Sequence, residues 1–337
     1  MSKHWACYLL LALLAGCSDS KTGAKSQASS ANSPNASGKV YRIAVIPKAA
    51  THEFWKSVHA GAAAAAKELG NVEILWKAPA HDDNREEQGN LVEDFVTRKV
   101  DGICLAPIDS HSLLNAVHGA RQANIPTVIF DSGLEDLSAI VSYIATNNYN
   151  GGQLAAQEMG KRLNGKGNVI LLRYSPGSES TENRERGFLD GIKKDFPEIK
   201  LLSDDQYAGV SEQSALDKSQ QLLLRFRNDV NGVFAVNETS VVGMLRALEE
   251  TGMAGKVVYI GFDSSDRLVQ SLKDKKIQAL VLQDPVRMGY LSVKTMAAHL
   301  KGERVEDKIS TGENVATLEN MDEPGIHKLL FPEQFRD

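Results

Sequence analysis

Cysteine is scarce in this chain of 337 residues. Cys7, Cys17 and Cys104 are the only three, too few and too far apart for a disulfide framework or a metal knuckle. Cys104 lies in the apolar run 102–106 and reads as a small buried hydrophobe rather than a reactive thiol. Catalytic signatures are equally thin. There is no Cys-x-x-Cys, no Gly-x-Ser-x-Gly and no phosphate-cradling loop. His52-Glu53 lacks the second histidine of a zinc-protease helix, because Lys56 stands there. Gly165-Lys166-Gly167 precedes a strand, so it is a helix-ending turn and not a dinucleotide fingerprint. Asp82-Asp83 reads as a helix start. No nucleophile–base–orienter set is legible, so no enzyme activity, metal or cofactor is expected. The charge balance, 38 basic against 43 acidic residues, has no basic excess, which argues against nucleic acid. No apolar run beyond residue 16 is long enough to span a bilayer.

What is present begins at the N-terminus. After Lys3 and His4 comes an apolar run, 5–16, ending in Leu14-Ala15-Gly16-Cys17. Its length suits a signal-peptide core and is short for a permanent membrane helix. The last four residues resemble a bacterial lipobox. That resemblance implies removal of residues 1–16 and a lipid on Cys17; the alternative is a plain secretory signal with an incidental cysteine. Residues 18–39 have almost no large apolar side chains and read as a flexible linker, with a random-coil reach of ~25 Å.

From residue 40 short apolar runs alternate with amphipathic segments. Ten strands are predicted, from 41–47 to 279–283, with nine helical patterns between 54–69 and 286–301. Val/Ile-rich strands separated by helices predict α/β architecture, with doubly wound parallel sheets covered on both faces. The number of strands exceeds one ordinary open sheet, so two lobes are expected. Several strands end in a polar residue: Asp131, Asn237, Asp263 and Gln283. Each could be a helix cap. Together, at the carboxyl ends of strands, they point to a ligand site.

Six segments carry a more specific signal: 48–55, 130–132, 183–188, 234–238, 261–263 and 282–285. Their order and spacing resemble the periplasmic sugar-binding proteins of the ribose/galactose type, over about residues 40–310. The DNA-binding element of the related LacI-type repressors has no counterpart here. The resemblance implies two Rossmann-like lobes joined by a three-stranded hinge, the type I periplasmic binding protein fold. The lobes would comprise 40–146 plus 284–312, and 147–283 plus 313–337. A small ligand, usually a monosaccharide or similar polyol, would be clasped between them.

By position, Phe54 and Trp55 match aromatics that stack on sugar faces, with His52 a polar contact beside them. Asp131 matches a carboxylate that takes hydroxyls, and Arg184 a cleft arginine. Asn237, Asp263 and Gln283 match further polar contacts; Tyr207 falls near an aromatic of the second lobe. Three residues depart from the pattern. Glu53 stands where proline is frequent, Ser132 where ribose binders have a second arginine, and Lys48 where a small polar residue is common. An anionic or amino group on the ligand is one reading of these departures. The implied role is a monomeric solute-binding lipoprotein. It would work in the periplasm or on the outer face of the membrane and deliver its ligand to an ABC permease. The alternatives are a sensor for a chemoreceptor or membrane kinase and, remotely, a sugar hydrolase.

Overall fold

The computed structural model describes residues 39–332. The signal segment, Cys17 and all but the last residue of the linker fall outside them. The chain starts β1 (Tyr41–Ile46), α1 (Glu53–Leu69), β2 (Val72–Trp76), α2 (Arg85–Thr97), β3 (Gly102–Leu105), α3 (Leu114–Gln122), β4 (Thr127–Phe130) and β5 (Ser142–Ala145). It continues α4 (Asn148–Arg162), β6 (Lys166–Arg173), α5 (Glu179–Asp195), β7 (Glu198–Tyr207), α6 (Glu212–Phe226), β8 (Gly232–Ala235) and α7 (Glu238–Glu250). Then follow β9 (Val258–Phe262), α8 (Asp266–Lys273), β10 (Ala279–Leu282), α9 (Pro285–Leu300), β11 (Lys308–Ser310), β12 (Asn314–Ala316) and α10 (Pro324–Leu330).

Two six-stranded sheets result, ordered β11-β5-β4-β3-β1-β2 and β12-β10-β9-β8-β6-β7. The same topology is used twice. All pairs are parallel except β10–β12. The pleat explains the apolar runs. Along β1, Ile43 and Val45 pack under α1 and α9, while Ala44 and Ile46 pack under α2 and α3. In β6, Val169 and Leu171 face α4 and α5, whereas Ile170 and Leu172 face α6 and α7. Strands with helices on both faces need apolar side chains at every position. Cys104 sits wholly buried in the first sheet, and burial pushes its thiol pKa well up.

The helices against each sheet approach closely. A Cβ on Gly289 of α9 would lie 2.0 Å from Val58 O of α1, and one on Gly187 of α5 would lie 2.0 Å from Tyr149 O of α4. Only glycine permits these contacts.

Ten strands were expected, and β11 and β12 are additional. They are three residues each and hold their conformation by pairing at the sheet edges with β5 and β10. The chain passes between the sheets at 146–147, 283–284 and 311–313. These crossings touch: Thr146 Oγ1 donates to Gln283 Oε1 at 2.7 Å and lies 3.5 Å from Thr311 Oγ1. Among the described residues no helix is long and apolar enough to cross a membrane, and no cluster of His, Cys, Asp or Glu is arranged to hold a metal ion.

Candidate functional site

The carboxyl ends of both sheets face each other, and the polar strand ends meet between them. Asp131 follows β4 and Asp263 follows β9, the equivalent strands of the two sheets. Both follow a buried phenylalanine and both adopt left-handed backbone, with φ of 64° and 73°. Such a conformation is uncommon outside glycine and is tolerated best by Asp and Asn. It is secured by backbone bonds: Asp131 N donates to Ile144 O, and Asp263 N to Val281 O.

Each aspartate has a buried cation nearby. Lys48, just past β1, places Nζ 3.1 Å from Asp131 Oδ2. Arg184 Nη1 is 4.0 Å from Asp263 Oδ2. These four side chains are only 2–7% exposed. Charge at that depth needs a partner. Arg184 is further fixed by donating to Asn148 Oδ1 at 2.8 Å and Val236 O at 2.9 Å, with its guanidinium 3.8 Å from the Phe262 ring centroid. Asp263 accepts from Glu238 N at 3.0 Å and Gln283 Nε2 at 2.7 Å. Burial nevertheless raises the Asp263 pKa, against the lowering effect of Arg184.

Aromatic side chains from the start of α1 complete the site. Phe54 and Trp55 pack edge to face at 4.8 Å, and Trp55 meets Phe130 at 6.4 Å. Beside them His52 Nε2 lies 3.3 Å from Asp82 Oδ2, and its Nδ1 lies 3.3 Å from Thr239 Oγ1. Burial works against the His52 imidazolium, but Asp82, together with the charges of Glu238 and Glu212, holds the pKa above the ordinary value. Glu238 accepts from Phe54 N at 3.3 Å. Burial, with the charge of Asp263, pushes its pKa up to about 7.

These side chains enclose a cavity of about 40 Å³, with a larger chamber of about 1070 Å³ on the other side of His52, Asp82 and Glu238. Lys48, His52, Phe54, Trp55, Asp131, Arg184, Asn237, Asp263 and Gln283 all line the inner cavity. Tyr207 does not. It ends β7, the outermost strand of its sheet, where Arg173 approaches its ring at 5.7 Å. Asn237 also caps α7 by accepting from Ser240 N, so the capping and cavity-lining readings hold together.

Several residues were missed. Asp82 is no helix cap. Asn84 takes that role by accepting from Glu87 N, while Asp82 accepts from Tyr174 OH of the opposite sheet at 3.0 Å. Ser178, Glu179 and Ser180 carry no local signature, yet each bonds across the cleft. Glu238 stood beside Asn237 in a recognised segment, and that adjacency was the one available signal.

A family model described as a periplasmic binding protein domain matches residues 43–304. The chain belongs to the periplasmic binding protein family. Among curated relatives of this binding protein, the ribose import binding protein of Haemophilus influenzae is 31% identical over 267 residues, covering 79% of this chain and 88% of the relative. A solute-binding protein of an ABC transporter from Agrobacterium vitis, solved with bound D-fucose, is 36% identical. It superposes with a TM-score of 0.83 over 86% of this chain and 99% of its own. A carbohydrate transporter solute-binding protein from Agrobacterium radiobacter, solved with D-arabinose, is 34% identical with a TM-score of 0.83, over 87% and 99%. These relatives are binding proteins, and the chain is a solute-binding component rather than an enzyme. Its family places it in the periplasm.

Proposed function

We propose that this binding protein captures a monosaccharide or sugar-like polyol between its two lobes and delivers it to an ABC importer. The observation that carries the reading is the convergence of Lys48–Asp131 from one sheet and Arg184–Asp263 from the other on one enclosed cavity walled by Phe54 and Trp55. A sugar offers vicinal hydroxyls, each both donor and acceptor, and apolar ring faces. Carboxylates and arginine make charge-assisted bonds to the first, and aromatic rings cover the second. His52, Asn237 and Gln283 supply further polar contacts. The relatives named for ribose, D-fucose and D-arabinose support the ligand class.

The lobes assigned are 40–146 with 284–312, and 147–283 with 313–337. Lys48, Asp131, Arg184 and Asp263 in the wall of the inner cavity are only 2–7% exposed. Ligand therefore enters when the lobes separate, and closure is a population shift driven by contacts made only when closed. The lipid on Cys17 and the linker to residue 39 tether the monomer to the outer face of a membrane, which raises its concentration at the permease.

A thermal-shift panel of pentoses, hexoses, polyols and sugar acids tests the reading. One class should raise the melting temperature, with one ligand bound per chain by calorimetry. Absence of any shift at millimolar concentration refutes it. Sugar retained through purification and identified by mass spectrometry would name the ligand. Cys17→Ala should leave binding intact and move the protein from the membrane fraction to the soluble one. Continued membrane attachment would sink the anchor.

A further inference from the structure

The two aspartates are held differently. Both carboxylate oxygens of Asp263 accept from its own lobe, from Glu238 N and Gln283 Nε2. Asp131 has one oxygen, Oδ2, against Lys48, while Oδ1 has no hydrogen-bond partner among the described residues. Lys48 Nζ forms an ion pair with Asp131 Oδ2 and donates to Ser178 Oγ at 3.2 Å and Ser180 Oγ at 3.3 Å. The two serines belong to the other lobe, at the N-cap and first turn of α5.

The same turn binds the first lobe at further points. Ser132 Oγ donates to Ser180 Oγ at 3.1 Å, and Ser180 N donates to Ser132 Oγ at 3.0 Å. Glu179 accepts from Gly133 N at 2.9 Å and from Tyr143 OH at 3.1 Å.

We propose that Lys48 is the specificity-determining residue of the cleft: it reserves one oxygen of Asp131, neutralises its charge, and locks that arrangement to Ser178 and Ser180 of the opposite lobe. Three consequences follow from the geometry. A ligand meets a single free oxygen of Asp131. Asp131 and Asp263 are each already paired with a cation, so neither calls for a charge on the ligand. The lobes bond to each other directly, so closure has support beyond the contacts a ligand makes.

This inference rests on the sugar-binding reading, so the experiment has two arms. In the first, affinities for D-galactose, D-glucose and D-ribose are compared with those for D-galactosamine and D-glucosamine in the wild type and in Lys48→Ser. The neutral sugars should be preferred by the wild type. In the variant Asp131 is left with an uncompensated charge, and the amino-to-neutral affinity ratio should rise about tenfold or more, the equivalent of one charge-assisted hydrogen bond. An unchanged ratio overturns the proposal, because a merely structural lysine would weaken all five sugars alike.

The second arm needs no ligand. Small-angle scattering of the sugar-free protein is compared between wild type and Ser178→Ala/Ser180→Ala, in which the Lys48–Asp131 pair remains. The variant should show the larger radius of gyration. Equal radii overturn the lock. If the double variant does not fold by circular dichroism, Lys48→Ser, which removes the same two bonds, is read in its place with the same expectation. A wild type that binds no sugar defeats the functional reading, yet the scattering comparison still decides whether Lys48 and its serines hold the lobes together.

Discussion

The first lobe and the second lobe build the same sheet, in the same order, and end the same strand in the same way. They differ in how that strand-end aspartate is kept. In the second lobe, Asp263 is held within its own lobe by Arg184, Gln283 and the start of α7. In the first, Asp131 depends on Lys48, which in turn reaches across the cleft. Identical topology therefore supports one half-site that is complete in isolation and one that is complete only when the lobes meet. Rigid preorganisation and conformational response are divided between two copies of a single architecture.

The largest effect should come from the self-contained side. Arg184→Ala leaves Asp263, whose two oxygens are both bound within its own lobe, without its cation. A loss of about 3–5 kcal/mol is expected, read as the midpoint of urea unfolding. Lys48→Ala should cost less than half as much, because Asp131 can be hydrated as the lobes open. Equal losses would break the contrast.

Next come the helix contacts that the lobes share. Gly187→Val and Gly289→Val each drive a side chain into a backbone carbonyl of the neighbouring helix. Each should destabilise by about 1–3 kcal/mol. Both should also shrink the thermal shift produced by sugar, since α5 carries Arg184 and α1, against which Gly289 packs, carries Phe54 and Trp55. A full shift in either variant would separate that helix pair from the site.

A smaller effect concerns pH. Burial pushes Glu185 and Glu238, both of the second lobe, from 4.5 up to about 7. A carboxyl with a raised pKa favours the protonated folded form. Its stabilisation is complete below about 4.5 and is lost as pH rises through about 7. The decline has a ceiling of about 1.4 kcal/mol per pH unit for each group. Melting temperatures from pH 5 to 8 should fall, and Glu185→Gln should flatten that slope. An unchanged slope would remove Glu185 from the account.

Much of this was legible in the sequence, and the two lobes were not equally so. Runs such as 41–47 and 232–237 announced central strands because both faces are covered. Asp131, Asn237, Asp263 and Gln283 were visible because each stops such a run. Lys308–Ser310 and Asn314–Ala316 were not read as strands, since neither has an apolar run and each is stabilised only by its edge partner. Tyr207 was drawn toward the cleft by its resemblance to an aromatic of the family's second lobe, but it ends a strand at the rim of its sheet. Ser178, Ser180, Asp82 and Tyr174 could not be found locally. Their roles exist only through residues 92 to 132 positions away that close on them.

The touching crossings at Thr146, Gln283 and Thr311 have a mechanical consequence. One connecting strand would let the lobes swing and twist in any direction. Three that run side by side and bond to one another resist sliding and stretching, and they leave bending about a single line as the soft motion. Opening is then described by one angle. A pair of labels placed anywhere across the mouth should report the same transition, with the same midpoint and the same rate.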